Sequence, residues 1–143
     1  MILDSQLLFS DAQALTAAAA STNLIDLAIA RDIGTGEDLY VVVTVDVALT
    51  DTGSNSTVTV DFQTDDNASF TSNTTAQTLF TIAAVAAAGT VHIAKLGPTL
   101  INERYGRLFY TMNNGDLSAG SVTAVIVKDA QRYVSYANGY TIS

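Results

Sequence analysis

The sequence predicts an all-β domain, an antiparallel sandwich or barrel of seven or eight short strands, on three observations. First, Leu39–Val47 has the period of a strand: every odd position is apolar while the even ones turn from Tyr40 and Val42 to Thr44 and Asp46. Second, Thr57–Gln63 repeats the pattern more cleanly, placing Val58, Val60 and Phe62 on one face and Thr57, Thr59, Asp61 and Gln63 on the other. Third, such runs are separated by turn-forming clusters: Gly34-Thr35-Gly36, Asp51-Thr52-Gly53, Asp65-Asp66-Asn67, Asn113-Asn114-Gly115 and Asn138-Gly139. Asn-Gly is the strongest short hairpin signal, because both central residues of a type I′ turn need positive φ.

Taken in order, the opening poses a conflict. Ser10-Asp11-Ala12-Gln13 has the form of a helix capping box, and Ala17–Ala20 have the highest helix propensity. Thr16, Ser21 and Thr22, and the lack of a wide apolar stripe, argue against a helix, so residues 1–22 are read as an extended arm or edge strand. Weaker strand candidates are Leu24–Ile29, Thr78–Ala84, Val91–Leu96, Arg104–Met112 and Val122–Lys128. Because Val122–Val127 is apolar on both faces, it suggests a central strand covered on both sides. No repeat or linker divides residues 1–143, which are expected to form a single domain ending in a tail at 133–143.

Composition narrows function by exclusion. An apolar fraction of 48% against 14% charged residues, with one proline, fits a folded core and not a disordered chain. A formal net charge of -8, with the six basic residues scattered, repels phosphate backbones and argues against nucleic-acid binding. With no cysteine there is neither a disulfide framework nor a thiolate metal site. No Lys or Arg precedes Arg31, unlike the charged opening of a secretory signal, and the longest near-continuous apolar run, Ile82–Ala88, is too short to cross a bilayer. The expectation is a soluble protein folded in the cytosol that makes it, without a membrane partner.

No catalytic residues are identified, and the protein is expected not to be an enzyme. His92 is the sole histidine, so a multi-histidine metal site is impossible, and a lone strand histidine reads as a surface or packed residue. Glycines flank Ser118 with the wrong spacing for a nucleophile elbow. Gly34-Thr35-Gly36 lacks the third glycine of a dinucleotide loop and precedes a strand where that motif must open a helix. Asp65-Asp66-Asn67 supplies too few oxygen ligands for a calcium loop and reads as a turn. Neither cofactor nor metal is expected. The Asn-x-Ser/Thr triplets at Asn55, Asn67 and Asn73 are attributed to chance in a Ser- and Thr-rich chain. What remains is apolar side chains near the ends: Leu7, Leu8 and Phe9, then Tyr133, Tyr136, Tyr140 and Ile142. Chain ends fray unless they dock, so these seven are the expected contacts to other copies or to a partner.

The opening Met1–Ala14, continuing through Ser21–Leu27, resembles the capsid cement protein family of tailed bacteriophages typified by a Bordetella podophage. Asp32–Val43, Gln63–Asn67, Arg104–Tyr110 and Tyr136–Ile142 look like the family too, in family order; the closing tyrosine motif departs from it at Ala137, where the family has a proline. The resemblance implies a jelly-roll sandwich with an extended N-terminal arm and a C-terminal tail. It also implies copies fixed on the outside of an icosahedral virion after synthesis in the host cytoplasm. There they would bind major capsid protein and each other, as a homodimer or else a homotrimer, and staple neighbouring capsomers. The alternative is a receptor-binding or glycan-binding sandwich, although sugar platforms favour tryptophan and the chain has none. A hydrolase with an unrecognised carboxylate pair is the third reading.

Overall fold

The computed structural model describes residues 4–28, 38–97, 103–128 and 130. A single 3-10 turn at Ser5–Leu7 is capped by the Asp4 carboxylate, which accepts the Gln6 N–H at 2.9 Å. The strands that follow are β1 (Leu8–Ala14), β2 (Ala19–Ala20), β3 (Ile25–Asp26), β4 (Leu39–Thr50), β5 (Thr57–Asp65), β6 (Thr74–Ala83), β7 (Val91–Leu96), β8 (Tyr105–Asn113) and β9 (Ala119–Val127). They pair antiparallel in two sheets ordered β1-β9-β4-β7 and β2-β8-β5-β6, with the two-residue β3 also pairing β8. Leaving β3 aside, every connection except β5 to β6 crosses from one sheet to the other. Eight strands in this order are a jelly roll.

The alternation read in the sequence faces the space between the sheets. Val41, Val43 and Val45 from β4 and Val58, Val60 and Phe62 from β5 share one cluster with Phe9, Leu108, Tyr110, Val122 and Ala124, all essentially without solvent exposure. β9 is interior to its sheet, between β1 and β4, and Val125 on its outward side is buried as well as Ala124 on its inward side. Two residues depart from the period. A register shift between Val45 and Val47 turns Val47 outward, 56% exposed, before Leu49 returns to the core. Gln63 lies on the outward face as expected but is buried, because Arg107 on β8 donates to it.

The capping-box residues do meet, but inside a bulged strand. Gln13 Oε1 accepts the Ser10 hydroxyl at 2.7 Å, and Ala12 between them takes φ +46°, which breaks a helix. Ser10 also shares a buried 2.7 Å hydrogen bond with the Tyr110 hydroxyl of β8, while β1 zips along β9. Tertiary pairing thus overrides alanine's helix propensity, and residues 8–14 are the edge strand of the pair of readings given above. Burial pushes the Tyr110 phenol well above its ordinary pKa, so it remains a neutral donor or acceptor. Tyr110→Phe is expected to cost about 1–2 kcal/mol in urea unfolding, because one buried hydrogen bond is lost while Ser10 keeps Gln13.

The Asn113-Asn114-Gly115 signal works differently from a hairpin. Asn114 and Gly115 have the positive φ values expected of Asn-Gly, +63° and +114°, but the turn carries the chain from β8 in one sheet to β9 in the other. Asp51 shapes the β4–β5 corner in the same spirit, its carboxylate accepting the Asn55 and Ser56 N–H groups at 3.1 Å each. His92 is packed, stacked on Phe80 across the sandwich at 5.2 Å, and burial lowers its pKa so that the neutral ring is favoured.

Candidate interaction site

Among the described residues, one end of the sandwich is not closed by side chains. A cavity of about 190 Å³ opens there between the sheets, lined by Leu7 and Phe9 at the start of β1, Ile25 and Leu27 around β3, Leu39 at the start of β4, and Ile126–Lys128 at the end of β9. Its floor on the other sheet is Phe62 and Gly106. The sequence builds this mouth because β4 begins with the apolar Leu39 against the core and β9 keeps Ile126 facing inward one residue before its end. The lining is almost wholly apolar apart from Lys128.

The expected contact residues separate at this mouth. Leu7 is 41% exposed at its rim. Leu8 points outward from β1 and is half-buried, opposite Val125 of β9, which in turn pairs Val42 of β4. Phe9 is a correction: it has no solvent exposure and meets Phe62 edge-on at 6.3 Å, so it is core of its own sandwich and not a surface contact. The period of two explains this, since a strand entering at Leu8 must send its next side chain to the opposite face. Tyr133, Tyr136, Tyr140 and Ile142 lie outside the described residues, as do Gly34-Thr35-Gly36 and Asn138-Gly139. Ile25, Leu27, Leu39 and Gly106 were not singled out by the sequence; the alternation of Ile25 and Leu27 around Asp26 was the available signal.

β3 is fixed beside the mouth by charge. Arg104 clasps Asp26 with two hydrogen bonds, Nε to Oδ1 at 2.8 Å and Nη2 to Oδ2 at 2.9 Å, and lies over the Tyr105 ring at 4.8 Å. The Arg104 hydrogen bond, helped by the Ala28 N–H, holds the Asp26 carboxyl down at about 2. A depressed carboxyl stabilises the fold above its ordinary value of 3.8, and that contribution fades as pH falls from there through about 2. The Asp26 carboxyl carbon, followed by NMR, is expected to titrate at the lower value, and in Arg104→Gln to return to the ordinary one.

A second surface lies on the outward face of β8, where two segments noted in the sequence run side by side. Gln63 and Asp65 of β5 are paired with Arg107 and Tyr105 of β8. Asp65, buried at the strand end, accepts from the Asn67 and Ser72 N–H groups at 2.9 Å each and from the Ser72 hydroxyl at 3.1 Å. Burial works to raise its pKa, but these hydrogen bonds prevail and hold the carboxyl below its ordinary range. The turn so formed sets Phe70 at φ +49°, unusual for a bulky side chain, with its ring 4.1 Å from the Arg107 guanidinium. The turn reading of Asp65–Asn67 thus describes the first half of a larger loop. Among the described residues, no group of three His, Asp or Glu side chains gathers as for a metal ion, and no helix is long and apolar enough to cross a membrane.

Fold and surfaces together define a jelly-roll protein with an apolar mouth at one end and a cation set on one outer face. The Bbp16 family profile matches residues 9–126, most of the chain, and the protein belongs to this family of Bordetella phage proteins. No curated protein matches the chain in sequence.

Proposed function

We propose that this protein is a capsid cement protein, a non-enzymatic component of the virion that binds the outer surface of an icosahedral shell. There it staples neighbouring major capsid protein capsomers, working as a homodimer. The observation that supports this most is the coincidence of a phage-family match over residues 9–126 with a jelly roll whose segments resemble phage cement proteins. The apolar mouth, open among the described residues and with Leu7 at its rim, supports it too, as surface that a partner can cover. A lattice needs only modest contacts per copy, since display on a repeated shell multiplies them through effective concentration. Two-fold pairing is the commonest closed assembly, and a trimer is the other arrangement compatible with stapling.

Purified protein added to shells that lack it should remain bound after washing. Deletion of residues 133–143 should leave a folded sandwich that associates poorly, because interface aromatics such as Tyr133, Tyr136 and Tyr140 carry about 2 kcal/mol or more each at a hot spot. Full-length protein that washes off shells under the same conditions overturns the proposal.

A further inference from the structure

Arg107 is held as a binding group is held. Its guanidinium lies between the rings of Phe70 at 4.1 Å and Phe109 at 5.7 Å, and Nε donates to Gln63 Oε1 at 2.9 Å. This leaves the plane and the rotation of the side chain fixed, whereas among the described residues no hydrogen bond engages its two terminal nitrogens. The support behind it is strained and satisfied at once: Phe70 keeps its positive φ because Asp65 ties both halves of the loop. Backbone strain held in place by buried hydrogen bonds is a feature of sites where a side chain must be aimed.

Arg107 lines an open groove of about 610 Å³, within the range of small-ligand sites. The opposite wall is made of Ser5, Gln6, Ser21, Thr22 and Asn23, with Leu24, 39% exposed, at the edge. Ser21 and Asn23 are used internally: the Ser21 hydroxyl donates to the Asn23 carbonyl at 2.7 Å, and the Asn23 amide donates to the Leu8 carbonyl at 3.2 Å. They give the wall its shape. Ser5, Gln6 and Thr22 are exposed and add hydroxyl and amide groups to the lining of the groove.

We propose that this groove binds a single acidic sugar residue, a uronic or sialic acid, with its carboxylate paired to the terminal nitrogens of Arg107. A guanidinium with two parallel terminal N–H directions that no described residue engages matches a carboxylate. The hydroxyl- and amide-rich wall suits a polyhydroxylated ring, and Leu24 offers an apolar patch for its C–H face. An acidic peptide side chain would bring an apolar stem into a groove whose wall is mainly polar. A polyanion is disfavoured by the net charge of -8, so the ligand is one terminal acid and not an extended chain of them. This site is separate from the apolar mouth and does not depend on the cement reading.

The test is titration of the full-length protein with N-acetylneuraminate and galacturonate, followed by backbone amide NMR shifts. Galactose, N-acetylglucosamine and an acetyl-aspartate peptide serve as comparisons. The acidic sugars are expected to shift residues 20–24 and 107 saturably, and the neutral sugars to bind at least about tenfold more weakly. Arg107→Lys should lose about tenfold in affinity, because a point cation replaces the fork. Thr22→Ile, on the exposed wall, should block binding with the melting temperature kept, which separates loss of the site from loss of the fold. Absence of saturable shifts with either acidic sugar on folded protein overturns the proposal. Equal or tighter binding of the peptide overturns it also, in favour of a protein partner.

Discussion

Val60→Asp is expected to abolish cooperative folding or to lower stability by about 3–5 kcal/mol, the cost of a buried charge without a partner. Val60 has no exposure and sits in the middle of β5, paired with Phe80 on β6 and Tyr110 on β8. The core residues around it are apolar except for the Tyr110 hydroxyl, which Ser10 already occupies. Such a loss is a large share of the 5–15 kcal/mol that typically holds a domain together. The matched control is Val47→Asp, at the position the β4 bulge turns outward, and it should change stability by less than about 0.5 kcal/mol. Urea unfolding followed by circular dichroism reads both. Equal effects from the two variants would contradict the assignment of faces.

Gly120→Ala is expected to cost about 2–4 kcal/mol by the same measurement, from two sources that act together. Gly120 takes φ +148° near the start of β9, a conformation that a side chain resists. A Cβ placed there would collide with the Leu49 side chain and come within 3.1 Å of the Leu49 Cα, and Leu49 is fixed in the core with 1% exposure. The irregular β4–β9 register between Val47 and Thr50 is the place where the strands must approach this closely. An unchanged melting temperature would mean that the bulge can shift and that its geometry is not tightly held.

Strands with a strict period and branched side chains were legible. β7 runs over Val91–Leu96 as read, and β4 and β5 begin at Leu39 and Thr57 as read, each continuing past its clean alternation. β6 starts at Thr74, four residues before the reading, because Thr74–Gln77 is a polar edge whose strand character comes from pairing with β5 and not from burial. The predicted Leu24–Ile29 strand shrinks to Ile25–Asp26 among the described residues, since Ala28 takes φ +68° and the Asp26 carboxylate caps its N–H at 2.7 Å. Leu7 is exposed, whereas the inward face of Phe9 is fixed only by a register that the sequence does not give. The Arg107 groove is not legible in the sequence: Arg107 and its partner Gln63 lie in Arg104–Tyr110 and Gln63–Asn67, far along the chain from the wall at Ser5, Gln6 and Ser21–Leu24. A contact between Gln63 and Arg107 exists only once β5 and β8 are paired.

A protein that binds a phage shell from outside and staples it, as proposed, should raise the temperature at which the shell opens. Shells prepared with and without the protein can be heated in the presence of a dye that fluoresces when it reaches the packaged DNA. Decorated shells are expected to open at a clearly higher temperature than bare ones, and addition of purified protein to bare shells should restore the difference. Identical opening temperatures at full occupancy would contradict a cementing role.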